Sequence, residues 1–252
     1  MQEALTPAPN SKLQVWTWRA LVLGMVLASL PFVWDWRWQV VWDARILLLK
    51  GLGVSWLLAL MSVGFGALLA IPLALGRLYG RYGSRWLAVC VIELVRATPE
   101  LMVVFWIFFT IPMLLKQDLS SWAAATIALS LIAAAYLAEV FRSGIVSVPK
   151  EQVEAAQASG LSVTQTFAYI VLPQALRNMA PAFIAQLAML FKTTSLVYVI
   201  GVVEFFRTTI LVNNAQYSPQ ALYLTMGIGY FFSCFALSWM VRRLDPRYVL
   251  TD

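Results

Sequence analysis

The 252-residue sequence has no histidine, two cysteines, and charged side chains at only 12% of its positions. The missing histidine rules out an imidazole metal site, a histidine proton shuttle and a Ser-His-Asp triad, and with them most hydrolase chemistry. Cys90 and Cys234 each sit in an apolar stretch with no Cys-x-x-Cys pair, which excludes a disulfide scaffold. The scarcity of charge is the most restrictive of the three. A soluble domain carries about 25% charged and about 45–50% apolar residues. Here apolar residues reach 61%, and too few charges remain to cover a water-facing surface. The composition is that of an integral membrane protein; disorder, collagen and a nucleic-acid module are excluded. The net charge of +6 is assigned to basic loops at a membrane face. A phosphate-cradling loop is also missing. Such a loop needs Gly-x4-Gly-Lys-Ser/Thr, and the only Lys followed by Ser or Thr, Lys192-Thr193, is preceded by Phe191.

What is present in quantity is long apolar runs. A bilayer core of about 30 Å needs about 20 helical residues to span it. Six runs qualify: Trp16 to Trp34, Gly51 to Gly76, a third within Trp86 to Leu115 that polar residues interrupt, Trp122 to Phe141, Pro181 to Phe206, and Ala221 to Val241. None alternates like a barrel strand, so the expected class is an all-α integral membrane protein with about six transmembrane helices. Lys12 before the first run and Arg19 near its start would suit a signal peptide. The run has no small-x-small cleavage site and five spans follow, so it is read as a retained helix. Basic residues set the orientation. With the N-terminus inside, the inner segments hold Lys12, Arg19, Arg77, Arg81, Arg85, Arg142, Lys150, Arg177, Arg242, Arg243 and Arg247. The outer segments hold Arg37, Arg45, Lys50, Lys116 and Arg207. Both termini are therefore expected in the cytoplasm, with Trp34, Trp36, Trp38 and Trp42 in an outer aromatic belt.

Between the fourth and fifth runs, residues 142–180 form a long cytoplasmic loop that is not low-complexity. It reads as two short helices. Pro149 suits the first turn of one and Gly160 its left-handed C-terminal cap. Ser162 with Gln165 makes a capping-box pattern for the second, which Pro173 then disturbs. Ala155, Ala156 and Ser159 are expected to put small side chains on one face that a partner can approach closely. Glu154 can pair with a basic residue or cap an amide. An amphipathic loop lying on the membrane is the plainer reading, but the loop is rich in Gln and Ser and has few large apolar anchors.

The loop reads Glu154-Ala155-Ala156, three residues, Gly160, nine residues, Ile170-Val171-Leu172-Pro173. This resembles the EAA loop of permease subunits in bacterial ABC importers, EAA-x3-G-x9-I-x-LP. Ala134 to Ile145, Leu172 to Arg177 and Lys192 to Leu196 are similar to segments around that loop in polar-amino-acid permeases of the histidine and glutamate/aspartate types. Glu93 to Pro99 is similar to their E-x-x-R-G-T-P stretch, with Ala97 in place of Gly and Glu100 in place of the usual Leu. The resemblance covers about residues 48–245. It implies a type I ABC importer transmembrane domain of five helices plus one extra N-terminal helix. Residues 1–47 would form the cytoplasmic N-terminus, the extra helix and a short periplasmic segment. The permease domain would be 48–245, and 246–252 a cytoplasmic tail. It also implies an inner-membrane location and docking of the EAA helix on a separate ABC ATPase homodimer that binds ATP and Mg. No cofactor is expected in this chain and no catalysis by it alone. The other implied partners are a second permease subunit, unlike rather than identical, a periplasmic or lipid-anchored amino-acid-binding protein and membrane lipid, with no nucleic acid. An ion-driven secondary transporter would show repeated halves with broken helices, and no such repeat is visible.

Charges inside or beside spans are costly and default to functional candidates. Glu93 and Arg96 lie three apart and can pair on one helix face. Alternatively Thr98-Pro99 starts the true span, the preceding stretch is an interfacial helix, and Arg96 snorkels. Glu139 and Arg142 are spaced for a structural ion pair or a pathway role. Tyr136 either packs in the core or lines the pathway. Lys192 lies about ten residues into the fifth run beside Thr193, Thr194 and Ser195. It would meet a substrate, another subunit or a protein carboxylate. The candidate pathway residues are thus Arg96, Glu100, Tyr136, Glu139, Lys192, Thr194 and Ser195. Leu190 to Val199 and Glu204 to Thr208 look most like the glutamate/aspartate branch, and a cation at Lys192 suits an acidic amino acid. Glu100 and Glu139 would suit an α-amino group or a basic side chain, so glutamine, asparagine, arginine and histidine stay open.

Overall fold

A computed structural model describes residues 36–244 together with Trp16, Thr17, Trp18, Ala20, Leu21 and Gly24; beyond residue 240 only the backbone is described. The first run, Trp16 to Trp34, and the tail at 246–252 therefore lie largely or wholly outside the described residues. The described chain is helical throughout: α1 (Trp38–Asp43), α2 (Arg45–Tyr79), α3 (Tyr82–Ala97), α4 (Glu100–Leu115), α5 (Ser121–Val146), α6 (Lys150–Ala158), α7 (Val163–Ile200), α8 (Phe205–Gln216) and α9 (Pro219–Leu244). Four helices, α2, α5, α7 and α9, are each long and apolar enough to cross a membrane, and the bent pair α3 and α4 makes a fifth candidate.

The core is built around α5. In its most apolar window 67% of residues are buried, against 22% for α9, so α5 is the central helix and α9 a peripheral one. Small side chains make this possible. Ala124, Ala125, Ala128, Ala134 and Ala138 are buried, and α2 comes so close that a Cβ on Gly66 would lie 2.5 Å from that of Ala133. Helices in lipid gain little from hiding apolar surface from one another, and close van der Waals approach of small residues takes over as the driving force.

Two expectations are corrected, and the interrupted third run bends at Thr98-Pro99, where α3 and α4 meet at 110°. Thr98 is forced into an extended conformation (φ −90, ψ 136) by the proline that follows. Its Oγ1 donates to the Leu94 carbonyl at 2.7 Å, satisfying a helix-end acceptor. The loop does not hold two separate short helices. The second opens at Val163 and continues as α7 through a π turn at Phe167–Val171. That wider turn accommodates Pro173, whose ring would collide with a carbonyl in a regular helix and whose nitrogen donates nothing. Finally, the fifth run does not continue to Phe206. The α-helical part of α7 ends at Thr193, tightens to a 3₁₀ stretch at Thr194–Ile200, and turns at Gly201 (φ +99). Phe205 and Phe206 begin a separate helix, α8.

Candidate functional site

The loop is built from local signals. Pro149 stands as the N-cap rather than in the first turn, and α6 starts at Lys150. Gly160 has φ +88, the left-handed region that an L side chain enters at a penalty. Ser162 and Gln165 form the full capping box: Ser162 Oγ accepts from the Gln165 amide at 3.3 Å and Gln165 Oε1 accepts from the Ser162 amide at 2.9 Å. Two side-chain bonds tie the loop to the body. Gln174 Nε2 donates to Gln152 Oε1 at 2.7 Å, and Asn178 Nδ2 donates to Ser147 Oγ at 2.8 Å. Glu154, Ala155 and Gly160 are exposed, as are Leu172 and Pro173, and Ile170 is half-buried. Ala156 is 7% exposed and faces the body, which corrects the expectation of one small-residue face. At about 100° per residue Ala155 and Ser159 share a face and Ala156 does not. Ala155, Ala158 and Ser159 are exposed beside the longer Glu151, Glu154 and Gln157, and Gln152 ties the N-terminal end of the helix to α7.

The other candidates fall into two groups. The first lies where α2, α3 and α5 converge. Arg77 Nη1 is 3.2 Å from Glu93 Oε1 and 3.1 Å from Glu139 Oε2. Glu139 also receives Arg142, whose Nε lies 3.0 Å from both carboxylate oxygens. Arg96 reaches Glu93 at 3.8 Å, and its guanidinium lies 5.6 Å from the centre of the Tyr136 ring. Arg96, Tyr136 and Glu139 are thus members of one network of alternating charge at the loop end of α5. Arg77, which sequence reasoning treated as a loop cation, is its centre.

The second group joins α4 to α7. Glu100 Oε2 accepts from Thr193 Oγ1 at 2.9 Å. Lys192 is exposed and forms no ion pair among the described residues. The neighbouring hydroxyls turn back to their own helix: Thr194 Oγ1 donates to the Phe191 carbonyl at 2.7 Å and Ser195 Oγ to the Lys192 carbonyl at 2.8 Å. Thr194 is fully buried, while Ser195 is half-buried.

Sequence reasoning passed over Glu204 as a site residue. It is 0% exposed. Its carboxylate caps α8 by accepting from the Phe206 and Arg207 amides, each at 2.8 Å, and also from Ser55 Oγ at 3.1 Å and the Tyr230 hydroxyl at 3.3 Å. It therefore joins α2, α8 and α9. An acidic residue just before a helix start was the available signal.

Residues 62–250 match the family described as binding-protein-dependent transport system inner membrane component. The probable glutamine ABC transporter permease protein GlnP of Bacillus subtilis is 39% identical over 168 residues, 65% of this chain and 76% of that one. The glutamate/aspartate import permease protein GltK of Escherichia coli is 31% identical over 222 residues, 85% of this chain and 99% of its own. A crystal structure described as an amino acid ABC transporter with histidines is similar with a TM-score of 0.76 and 26% identity, over 81% of this chain and 95% of that one.

Proposed function

From the chain's membership of the binding-protein-dependent transport system inner membrane components, we propose that it forms half of the pathway of an ATP-driven importer for acidic amino acids, glutamate or aspartate. The observation that carries the importer reading is the loop: an exposed, braced α6 with Glu154 and Ala155 outward, closed by Gly160 in the left-handed region. Such a helix suits the groove of a separate ATPase. Two ATPases bind ATP and Mg, and their closure moves the two permease subunits between outward and inward access. The second permease is an unlike chain, and a substrate-binding protein docks on the opposite face. Residues 48–245 make up the permease domain, and both termini lie in the cytoplasm.

Support for an acidic substrate comes from the glutamate/aspartate relative, which is similar over 85% of this chain, and from Lys192, an exposed cation beside the Glu100–Thr193 contact. A carboxylate side chain needs such a partner once it leaves water. In this reading Glu100 takes the α-amino group. The B. subtilis relative, 39% identical, favours glutamine or asparagine as the second reading. Uptake by the reconstituted complex of glutamate, aspartate, glutamine, arginine and histidine decides between them. Glutamate or aspartate is expected to dominate. Glutamine uptake without glutamate would establish the second reading, and arginine or histidine uptake without glutamate would overturn both.

A further inference from the structure

Where α2 turns into α3 lies an open groove of about 740 Å³ lined by Gly80, Arg81, Tyr82, Arg85, Trp86 and Val89. Neither arginine forms an ion pair among the described residues, although Arg77, Arg96 and Arg142 all do. Two guanidiniums, one on Arg81 at the N-cap of α3 and one on Arg85 in its first turn, line the groove and are left uncompensated. The turn that presents them is rigidly built. Gly80 donates to the Gly76 carbonyl at 3.0 Å, Ser84 Oγ donates to the Arg81 carbonyl at 3.1 Å, and a Cβ on Gly80 would meet the Gly76 oxygen at 2.2 Å. The aromatic residues beside them are open: Tyr82 is 99% and Trp86 68% exposed. The groove opens where the membrane-length helix α2 ends, on the same side as the loop, because Arg77 reaches Glu139 near the loop end of α5.

Charge, depth and the aromatic pair together select one occupant. We propose that this groove binds an anionic phospholipid, its phosphate between Arg81 and Arg85 and its acyl chain along Trp86 and Val89. Exposed Tyr and Trp rings belong at headgroup level, and arginines placed there attract anionic lipid. A zwitterionic lipid has the same tail but no net charge for the two guanidiniums to answer.

The test is thermal unfolding of the purified full-length complex in detergent, titrated with phosphatidylglycerol or with phosphatidylcholine, alongside counts of retained lipid by native mass spectrometry. The native protein is expected to be stabilised more by phosphatidylglycerol. Arg81→Gln with Arg85→Gln should weaken apparent phosphatidylglycerol affinity about thirtyfold, from the contribution of two basic residues near a headgroup, and leave the phosphatidylcholine response unchanged. Arg81→Lys with Arg85→Lys keeps both charges and should keep the response, which separates a lost site from a damaged fold. Equal stabilisation of the native protein by the two lipids overturns the proposal. So does an undiminished phosphatidylglycerol response in the glutamine variant. Loss of the ATPase from the glutamine variant with an intact lipid response overturns it in favour of a protein contact.

Discussion

Arg77 stands between two carboxylates on different helices, 3.2 Å from Glu93 and 3.1 Å from Glu139. Removing it leaves two half-exposed acids facing each other at the loop end of α5. Arg77→Gln should destabilise the complex by about 1–3 kcal/mol, since unpairing partly buried charges costs more than losing a surface pair. Arg77→Lys should recover most of the loss, because both contacts use a single nitrogen. Thermal unfolding of the three forms checks this; an unchanged melting temperature in the Gln variant would remove the network from any structural role.

Gly160→Val should lower the amount of amino acid moved per ATP hydrolysed. The backbone there has φ +88 and a Cβ would meet nothing within 4 Å, so the penalty is conformational, about 1 kcal/mol or more. Asparagine tolerates that region, so Gly160→Asn should behave close to the native protein. Transport and hydrolysis measured together on both variants test whether the turn matters through its backbone.

Glu204→Ala should be the most damaging single change outside the loop. It strips acceptors from two amides and two hydroxyls in a site with no water access, a loss of about 2–5 kcal/mol. Glu204→Gln keeps one acceptor oxygen and should fall between the two. Yield of folded protein and melting temperature in detergent report the order.

Lys192→Met should reduce glutamate uptake about tenfold or more, the scale of one lost charge-assisted hydrogen bond, while glutamine uptake and complex assembly change little. Parallel uptake assays give the comparison. Equal losses for both amino acids would assign Lys192 to packing or subunit pairing.

The isolated subunit should hydrolyse no ATP, because it has no phosphate-binding loop. Hydrolysis should appear when the ATPase is added. Activity that follows this chain through purification without the ATPase would contradict the assignment.

Features of short sequence range were legible and those of long range were not. The Gly160 turn and the Ser162–Gln165 box each depend on residues a few positions apart, and both formed. The three-residue spacings likewise anticipated the contacts of Glu93 with Arg96 and of Glu139 with Arg142. Arg77 was missed because its second acid comes from α5, on which no local pattern bears. Glu204 was missed for the same reason: Ser55 is 149 positions away. The sharp bend at Thr98-Pro99 was open in the sequence as an alternative, since proline restricts its predecessor, but the angle between α3 and α4 depends on packing.

The continuity of α7 gives its two ends different tasks in one body. Val163 emerges from the loop and Ile200 closes the same 38-residue helix, with Lys192 eight residues before that end. At helical rise its 38 residues measure about 57 Å, so a tilt of about 10° about one end carries the other through about 10 Å. In the proposed importer a nudge at the loop would thus be amplified into a displacement wider than an amino-acid side chain, and nucleotide-driven motion would need only a small angle to open or shut a route beside Lys192.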